Sequence, residues 1–436
     1  MNINDLQDLD YFESCVKRLD LSNRNYIFRG AAGTGKTTLI HLIKKRINKN
    51  IAVLAFTGIA ACNVGGSTIH SFFSFPSRII NPDKDLDIPA EKRKIIQALE
   101  ILIIDEYSMV SAYLLDAIDI TLRKIRKKKD LLFGGVKLVL VGDHMQLPPI
   151  IDKTGLEILE SIYPDSLHFF NAKSYNHNNF EIETLTKIYR QDDPVLIKYL
   201  NKVRDRNFTN KDLIDFNNLV LDKDVTPENI ITLTFTNKQA ELINQEKLDD
   251  INSDKYIYKC EETGYKKVKC TAERELILKV GARVMMLKNH KFWNNGTLAT
   301  ISRLNEKSIW VNIKGNEYEV EKDKWESFTY KLGDKTKDIN NILSKVVGTF
   351  TQFPIKLAWA ATVHKSQGQT FESMILDTGR GAFAHGQTYS ALSRAKNIDG
   401  LFFKKKLTKN DFVYDGEVMI YHKKEQDYIV DSPFTT

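Results

Sequence analysis

The octapeptide Gly30-Ala31-Ala32-Gly33-Thr34-Gly35-Lys36-Thr37, with Thr38 behind it, constrains the fold more than any other stretch of this chain. It fits the pattern GxxxxGK[ST] in full. Before it lies a strand-sized run, Asn25–Arg29; after it, apolar residues recur at helical spacing (Leu39, Ile40, Leu42, Ile43, Ile47). A Gly-rich turn in that context points backbone N–H groups inward around phosphate oxygens, and the helix N-terminus adds its positive dipole end. Lys36 then reaches the β- and γ-phosphates and the Thr37 hydroxyl ligates Mg²⁺. A chance match would not explain the strand and the helix on either side.

Beyond that helix the alternation of strand and helix continues. Ile51–Ala55, Ile101–Asp105 and Lys137–Val141 read as buried strands. Met109–Arg126 reads as a helix with Val110, Leu114, Ala117, Ile118 and Ile125 on one face. Strands alternating with helices predict an α/β fold with a mostly parallel sheet, whose ligands bind at the carboxyl ends of the strands. Asp105-Glu106 stands at such an end. Alone the pair would read as an acidic turn; beside a phosphate loop, Asp105 suits the metal and Glu106 suits orienting or deprotonating water. Gly142–Pro149 comes after the next strand, where Gln146 can hydrogen-bond a γ-phosphate. His144 reads as a packing or polar surface residue.

A second α/β stretch begins near Ile182, with a helix over Asp193–Arg204 (Pro194 just inside, Asp193 as N-cap) and a strand over Ile230–Thr234. From about Lys255 to Phe350 the texture turns β-like and turn-punctuated, and from Pro354 the α/β pattern resumes. The expected organisation is a first core over 1–180 and a second over 181–436, the second interrupted by a β-rich insertion over about 252–350.

Composition mainly excludes. The 436 residues suggest about three domains at roughly 150 residues each. No apolar run approaches the ~20 residues of a membrane span, and the early acidic residues Asp5, Asp8, Asp10 and Glu13 fit neither a signal nor a transit peptide. The expected location is therefore the cytoplasm, in a prokaryotic or phage-like setting. Cys15, Cys62, Cys260 and Cys270 form no CxxC pair, so neither a structural zinc nor a disulfide framework is expected. The net charge of +7, from 63 basic and 56 acidic side chains, permits a polyanionic partner without requiring one. The run Arg123–Lys129 reads as a solvated helix end before it reads as a nucleic-acid patch.

Three kinds of phosphate-loop protein compete. A GTPase should carry an NKxD clamp, and Asn237-Lys238-Gln239-Ala240 lacks the Asp. A transporter ATPase should carry an LSGGQ-like string, and none is present. A nucleic-acid motor should carry a second α/β core with arginines for the nucleotide and polar strand-end loops for the strand. Those parts are here: Tyr189-Arg190-Gln191; Thr234-Phe235-Thr236-Asn237; Thr362-Val363-His364-Lys365-Ser366-Gln367-Gly368-Gln369-Thr370; and Tyr389-Ser390-Ala391-Leu392-Ser393-Arg394-Ala395. The first half adds Thr57–Phe73, a string containing Gly66, Thr68, His70 and Phe72. In this order and spacing the chain, from about Asn25 to Phe403, resembles the PIF-one family of superfamily-one, subclass-B helicases, within the PIF/RecD group.

That resemblance implies two RecA-like P-loop NTPase cores. It also implies a small wedge insertion in the first, within about 74–97, a turn-like stretch with Pro76, Pro82 and Pro89, and a β-barrel of the Src-homology-three type in the second. It implies an enzyme that hydrolyses ATP with Mg²⁺ and travels 5′ to 3′ on single-stranded DNA, unwinding tailed duplex. The alternative is a DNA-dependent ATPase that remodels protein–DNA complexes or anneals strands. Arg190 and Arg394 resemble the family's arginines that reach the γ-phosphate, with Lys36, Glu106 and Gln146 completing the catalytic set and Thr37 with Asp105 holding the metal. The nucleotide set is Gly30 to Thr38 with Tyr189, against adenine, and Gly368. For DNA the candidates are Thr57, Thr68, His70 and Phe72 in the first core, and Thr236, Asn237, His364, Lys365, Ser366 and Gln367 in the second. Such groups position phosphates without reading sequence. Phe72, Phe73 and Phe75 are also candidates for the duplex-splitting side chain, with core packing as the other reading. Gln7 sits at the distance of a family Gln that reads adenine, but Leu6, Asp8 and Leu9 do not form its motif. A monomer in its active form is expected, with single-strand-binding or replication proteins as partners, in replication, repair, recombination, telomere maintenance or quadruplex unwinding.

Overall fold

The structure, a computed structural model, describes residues 8–76, 88–151, 153–191, 193–221, 230–264, 268, 270, 272–293, 295–332 and 342–430. The chain forms two compact units. The first comprises Met1–Ile188, Ser327–Val347 and Asp415–Thr436; the second comprises Tyr189–Glu326 and Gly348–Tyr414.

The first unit is built on six parallel strands: β1 (Asn25–Gly30), β2 (Ile51–Ala55), β3 (Ser67–Thr68), β4 (Ile101–Asp105), β5 (Lys137–Gly142) and β6 (Phe180–Leu185), in the order β3-β2-β4-β5-β1-β6. Side chains alternate across a strand. Ile27, Leu54, Ile104 and Leu140 enter one core, while Phe28, Val53, Ile103 and Val141 enter the other. Both faces are covered, which is why these strands read as continuous apolar runs. The register is what assembles a site: Ala55 pairs Asp105, Asp105 pairs Val141 and Arg29 pairs Gly142. The carboxyl ends of β1, β2, β4 and β5 therefore lie along one edge.

Two expectations are corrected here. β6 pairs with β1 from Asn25↔Phe180 to Gly30↔Leu185, so a boundary at residue 180 would strip the edge strand from the first sheet. The helix Gly416–Val430 also belongs to the first unit, although it comes after the whole second unit in sequence. Of the wedge region 74–97, residues 77–87 lie outside those described, as does Gln7. Ala90–Ala98 is a helix with Ile95 and Ile96 buried in the first core, so the turn-like reading does not extend to residue 97.

The second unit has its own parallel sheet, with Ala360–Thr362, Ile231–Thr234, Met374–Asp377 and Leu401–Phe403 side by side. Between Ile231–Thr234 and Ala360–Thr362 the described residues are β-rich, but Ser327–Val347, expected within the insertion of the second core, groups with the first unit. Asn316–Val320, Ile309–Ile313, Leu298–Leu304, Arg283–Met286 and Ile355–Leu357 form one antiparallel sheet around a core holding Trp293, Val311 and Phe353. Among the described residues, no helix is long and apolar enough to cross a membrane.

Candidate nucleotide and nucleic-acid site

In the first unit, β1 leads directly into the Gly30–Thr37 loop and a helix begins at Lys36. Gly35 has φ +84°, and an added Cβ would lie 2.7 Å from the Phe12 ring, so both conformation and space demand glycine. The Lys36 ammonium donates to the carbonyls of Gly30 and Ala31, each at 2.9 Å. It is thus folded over its own loop, on the phosphate-cradling side. Thr34 donates to Ala31 O at 3.0 Å and fixes the turn, while Thr37 is exposed on the first turn of the helix.

Asp105 ends β4 and is buried. Its Oδ1 accepts from the Glu106 N–H at 2.9 Å. Burial first, then the charge of Glu106, pushes the Asp105 carboxyl up to about 7, against the pull of that hydrogen bond and of Lys36. Glu106 adopts φ +53°, a left-handed conformation that non-glycine residues seldom hold, and its Oε2 is buried with no hydrogen-bond partner. Carboxylate oxygens crowded in this way fit a divalent cation. Mg²⁺ keeps several waters and takes one or two protein oxygens beside phosphate. Thr37 and Asp105 provide that hard-oxygen set, and among the described residues no cluster of three or more His, Cys, Asp or Glu competes with it. Gln146 is buried after β5 in a turn closed by its N–H to Asp143 O at 3.0 Å. His144 is also buried, so it packs inside rather than sitting on the surface.

The second unit brings its two arginines to one turn. Arg190 reaches Gly368 O at 3.4 Å and Arg394 reaches Gln369 O at 3.5 Å. Arg394 also donates to Ser390 O at 3.0 Å and to Ser393 Oγ at 3.0 Å. Bonds near 3.5 Å are weak and easily exchanged for a phosphate oxygen. Gln191, to which no role was assigned from sequence, joins the two arginine segments by donating to Ser393 O (2.8 Å) and Ala395 O (3.1 Å). Tyr189 is exposed on a bend, with its ring accessible.

The nucleic-acid candidates divide by exposure. Thr57, Thr68 and Thr236 are helix N-caps whose hydroxyls accept from Ala60, Ser71 and Gln239 N–H. Each hydroxyl therefore keeps its own proton for an outward acceptor such as a phosphate. A Cβ on Gly66 would lie 2.2 Å from Val53 O, so only glycine lets the segment carrying Thr68 and His70 close on β2. His70 is partly exposed, its ring edge-on to Phe56 and Phe75. Asn237 and Lys365 are exposed, His364 and Gln367 half-buried, and burial lowers the His364 pKa. Two assignments are corrected. Phe72 is 5% exposed and stacks edge-on to Phe73 within the first core, so it packs rather than meeting a base; Phe73 and Phe75 are buried with it. Ser366 is fully buried and its hydroxyl donates to Val363 O at 2.9 Å, so it shapes the His364–Gln367 turn instead of facing solvent. The basic run is a helix end: Arg126 donates to Leu99 O at 2.6 Å and to Gly134 O at 2.8 Å.

Lys356 was not anticipated. It lies on a strand within an apolar run and is buried, and burial, with Lys365 nearby, pushes its ammonium down to about 8. A single Lys in an apolar strand was the available signal.

The sequence model of the PIF1-like helicase family matches residues 7–222. The chain is 31% identical over 442 residues to the ATP-dependent DNA helicase Pif1 of Campylobacter jejuni, covering 93% of this chain and 95% of that one. Among solved structures it resembles Bacteroides sp Pif1 in complex with ADP-AlF4, with TM-score 0.87 and 33% identity over 97% of this chain and 98% of that one. It also resembles Bacteroides Pif1 bound to ssDNA, with TM-score 0.69 and 34% identity over 97% and 98%.

Proposed function

The chain belongs to the PIF1-like helicase family, and from that premise we propose that it is an ATP-dependent DNA helicase that moves 5′ to 3′ along single-stranded DNA and unwinds tailed duplex. The observation that carries the ATPase part is the Asp105–Glu106 pair, with Asp105 buried, at the end of β4 on the edge where the phosphate loop begins.

The roles derive from the chemistry of each group. Backbone N–H groups of the Gly30–Thr37 loop bind phosphate oxygens, and Lys36 exchanges its two carbonyls for the β- and γ-phosphates. Thr37 and Asp105 would hold Mg²⁺, which would offset charge on the phosphates. Glu106 orients the attacking water and takes its proton at the carboxylate. Gln146 hydrogen-bonds the γ-phosphate and registers its loss. Arg190 and Arg394 place planar, permanently charged forks on the transferring group, where charge is spread over several oxygens. Thr57, Thr68, His70, Thr236, Asn237, His364, Lys365 and Gln367 hold the DNA backbone, so sequence preference is weak.

A strand-displacement assay on 5′-tailed and 3′-tailed duplexes tests this. Unwinding of the 5′-tailed substrate alone, dependent on ATP and abolished by Lys36→Ala, is the expected result. Unwinding of the 3′-tailed substrate alone would reverse the polarity. DNA-stimulated hydrolysis with neither duplex opened would replace unwinding by remodelling of protein–DNA complexes.

A further inference from the structure

One turn of the helix Gly416–Val430 touches Arg29 and His144 and, through His144, reaches Tyr107, each within two residues of a nucleotide-site residue of the first unit. Val418, Tyr421, His422 and Glu425 are buried at helical spacing along one face. His422 Nδ1 lies 2.8 Å from His144 Nε2, and His144 Nδ1 lies 3.3 Å from the Tyr107 hydroxyl. His144 is two residues from Gln146; Tyr107 comes directly after Glu106. Gln426 Nε2 lies 2.9 Å from His422 Nε2.

Donor chemistry gives this chain a direction. An amide NH₂ only donates, so with both imidazoles neutral His422 Nε2 accepts from Gln426. His422 then carries its proton on Nδ1 and donates to His144 Nε2. His144 in turn donates from Nδ1 to Tyr107. Tyr107 has little freedom: it is fully buried, its ring edge-on to Phe169 at 4.9 Å. A Cβ on Gly142 would lie 2.9 Å from that ring. The hydrogen-bond chain thus ends on the residue next to the left-handed Glu106.

The second contact is Glu425. Its Oε2 accepts from Arg29 at 2.7 Å and its backbone carbonyl accepts from the same guanidinium at 3.0 Å. Its Oε1 meets His177 Nδ1 at 2.7 Å. Arg29 also donates to Thr184 at 2.8 Å across to β6. Arg29 is the residue before Gly30, so its clamp fixes where the phosphate loop leaves the sheet.

We propose that the 422–426 turn is a positioning element for ATP hydrolysis: His422, through His144 and Tyr107, sets Gln146 and Glu106, while Glu425, through Arg29, sets the mouth of the phosphate loop. His422 and Glu425 act through other residues and are positioning groups, not catalytic ones. The proposal rests on the ATPase reading above, and the two fail differently. If the unmodified protein shows no DNA-stimulated hydrolysis, the reading itself falls.

The experiment is steady-state ATPase on single-stranded DNA with melting curves alongside. His422→Phe keeps a ring but removes both hydrogen bonds, and is expected to lower kcat about three- to tenfold with KM for ATP within about twofold. His422→Asn, whose amide stands in for Nδ1–H, is expected to recover most of that loss. Glu425→Gln, which frees the Arg29 charge, is expected to raise KM more than it lowers kcat. Should His422→Phe not fold, Gln426→Ala removes only the exposed donor that sets the His422 tautomer, and a two- to threefold fall in kcat is expected. Folded variants with unchanged kcat overturn the proposal. So does equal activity of His422→Phe and His422→Asn, because a purely structural role has no use for the restored donor.

Discussion

Arg394 is 2% exposed and donates to its own helix through Nε and to Ser393 through NH2. A guanidinium held in that way loses little freedom when it turns to a phosphate, which suits a group that stabilises a transition state. Arg394→Ala is expected to lower ATP turnover by roughly 10³–10⁵-fold with far less effect on nucleotide affinity. A single-turnover measurement beside a binding titration separates the two. Lys356 makes an opposite case. Its ammonium is held at about 8, below the ordinary 10.5 of an unfolded chain. Between pH 8 and 10.5 the unfolded chain binds the extra proton, so stability rises with pH across that window; below about 8 the full cost of the buried charge is present. Lys356→Met is therefore expected to stabilise the protein at pH 7 by about 1–3 kcal/mol, with the gain shrinking toward pH 10 in urea titrations. Legibility at this scale tracks locality. The placement of Lys36, Asp105 and Glu106 was readable because a phosphate loop and a strand end declare themselves within a few residues. Ser366 was misread because the same residue types serve both a phosphate contact and a tight turn. Its zero exposure depends on neighbours that sequence does not name.

At the scale of elements, caps were readable and pairings were not. Asp193 with Pro194 announces the helix Pro194–Arg204, and the Asp193 carboxylate does accept from Val195 and Leu196 N–H at 2.8 and 3.2 Å. The same carboxylate reaches Ile398 N–H at 2.7 Å, tying that helix to the segment just past Arg394. Asp193→Ala loses a cap and the contact to Ile398, so a loss of about 1–3 kcal/mol is expected by denaturant unfolding. Asn is expected to restore the cap but not the Ile398 contact, since its amide oxygen can replace Oδ1 while its NH₂ cannot accept where Oδ2 does. By contrast, β6 read as the opening of a second domain. Its partner β1 lies 155 residues earlier, and apolar alternation says that a strand exists without saying beside what. Pro89 misled in the opposite sense. Prolines marked the stretch as turns, yet a proline just before the first helical residue is compatible with the helix Ala90–Ala98 behind it.

For the molecule as a whole, the near-balance of charge bears on how DNA is held. A net +7 spread over 63 cations and 56 anions leaves little room for a dominant basic surface. Hydroxyls and amides make most of the proposed contacts, and neutral donors release no counterions. The salt dependence of single-stranded DNA binding is therefore expected to be shallow. A log–log slope of about −1 to −3 corresponds to two to four phosphates neutralised at roughly −0.7 each. Fluorescence anisotropy at several salt concentrations measures it, and a slope steeper than about −5 would shift the contacts to lysine and arginine. The two-core plan was legible because each core carries its own alternation of strands and helices. The return of Gly416–Val430 to the first unit was not, since nothing local marks a helix as belonging to residues nearly the whole chain away.

That return also sets an order of assembly. Arg29 and Glu425 are 396 residues apart in sequence, and both are buried. A ribosome adding about 5–20 residues per second makes Glu425 roughly 20–80 s after Arg29. Throughout that interval the nascent first sheet holds a guanidinium whose counter-charge does not yet exist. The strands can pair early, but the phosphate loop gains its final anchor only once nearly everything else has been translated, so the site cannot reach its finished form before the second core has emerged.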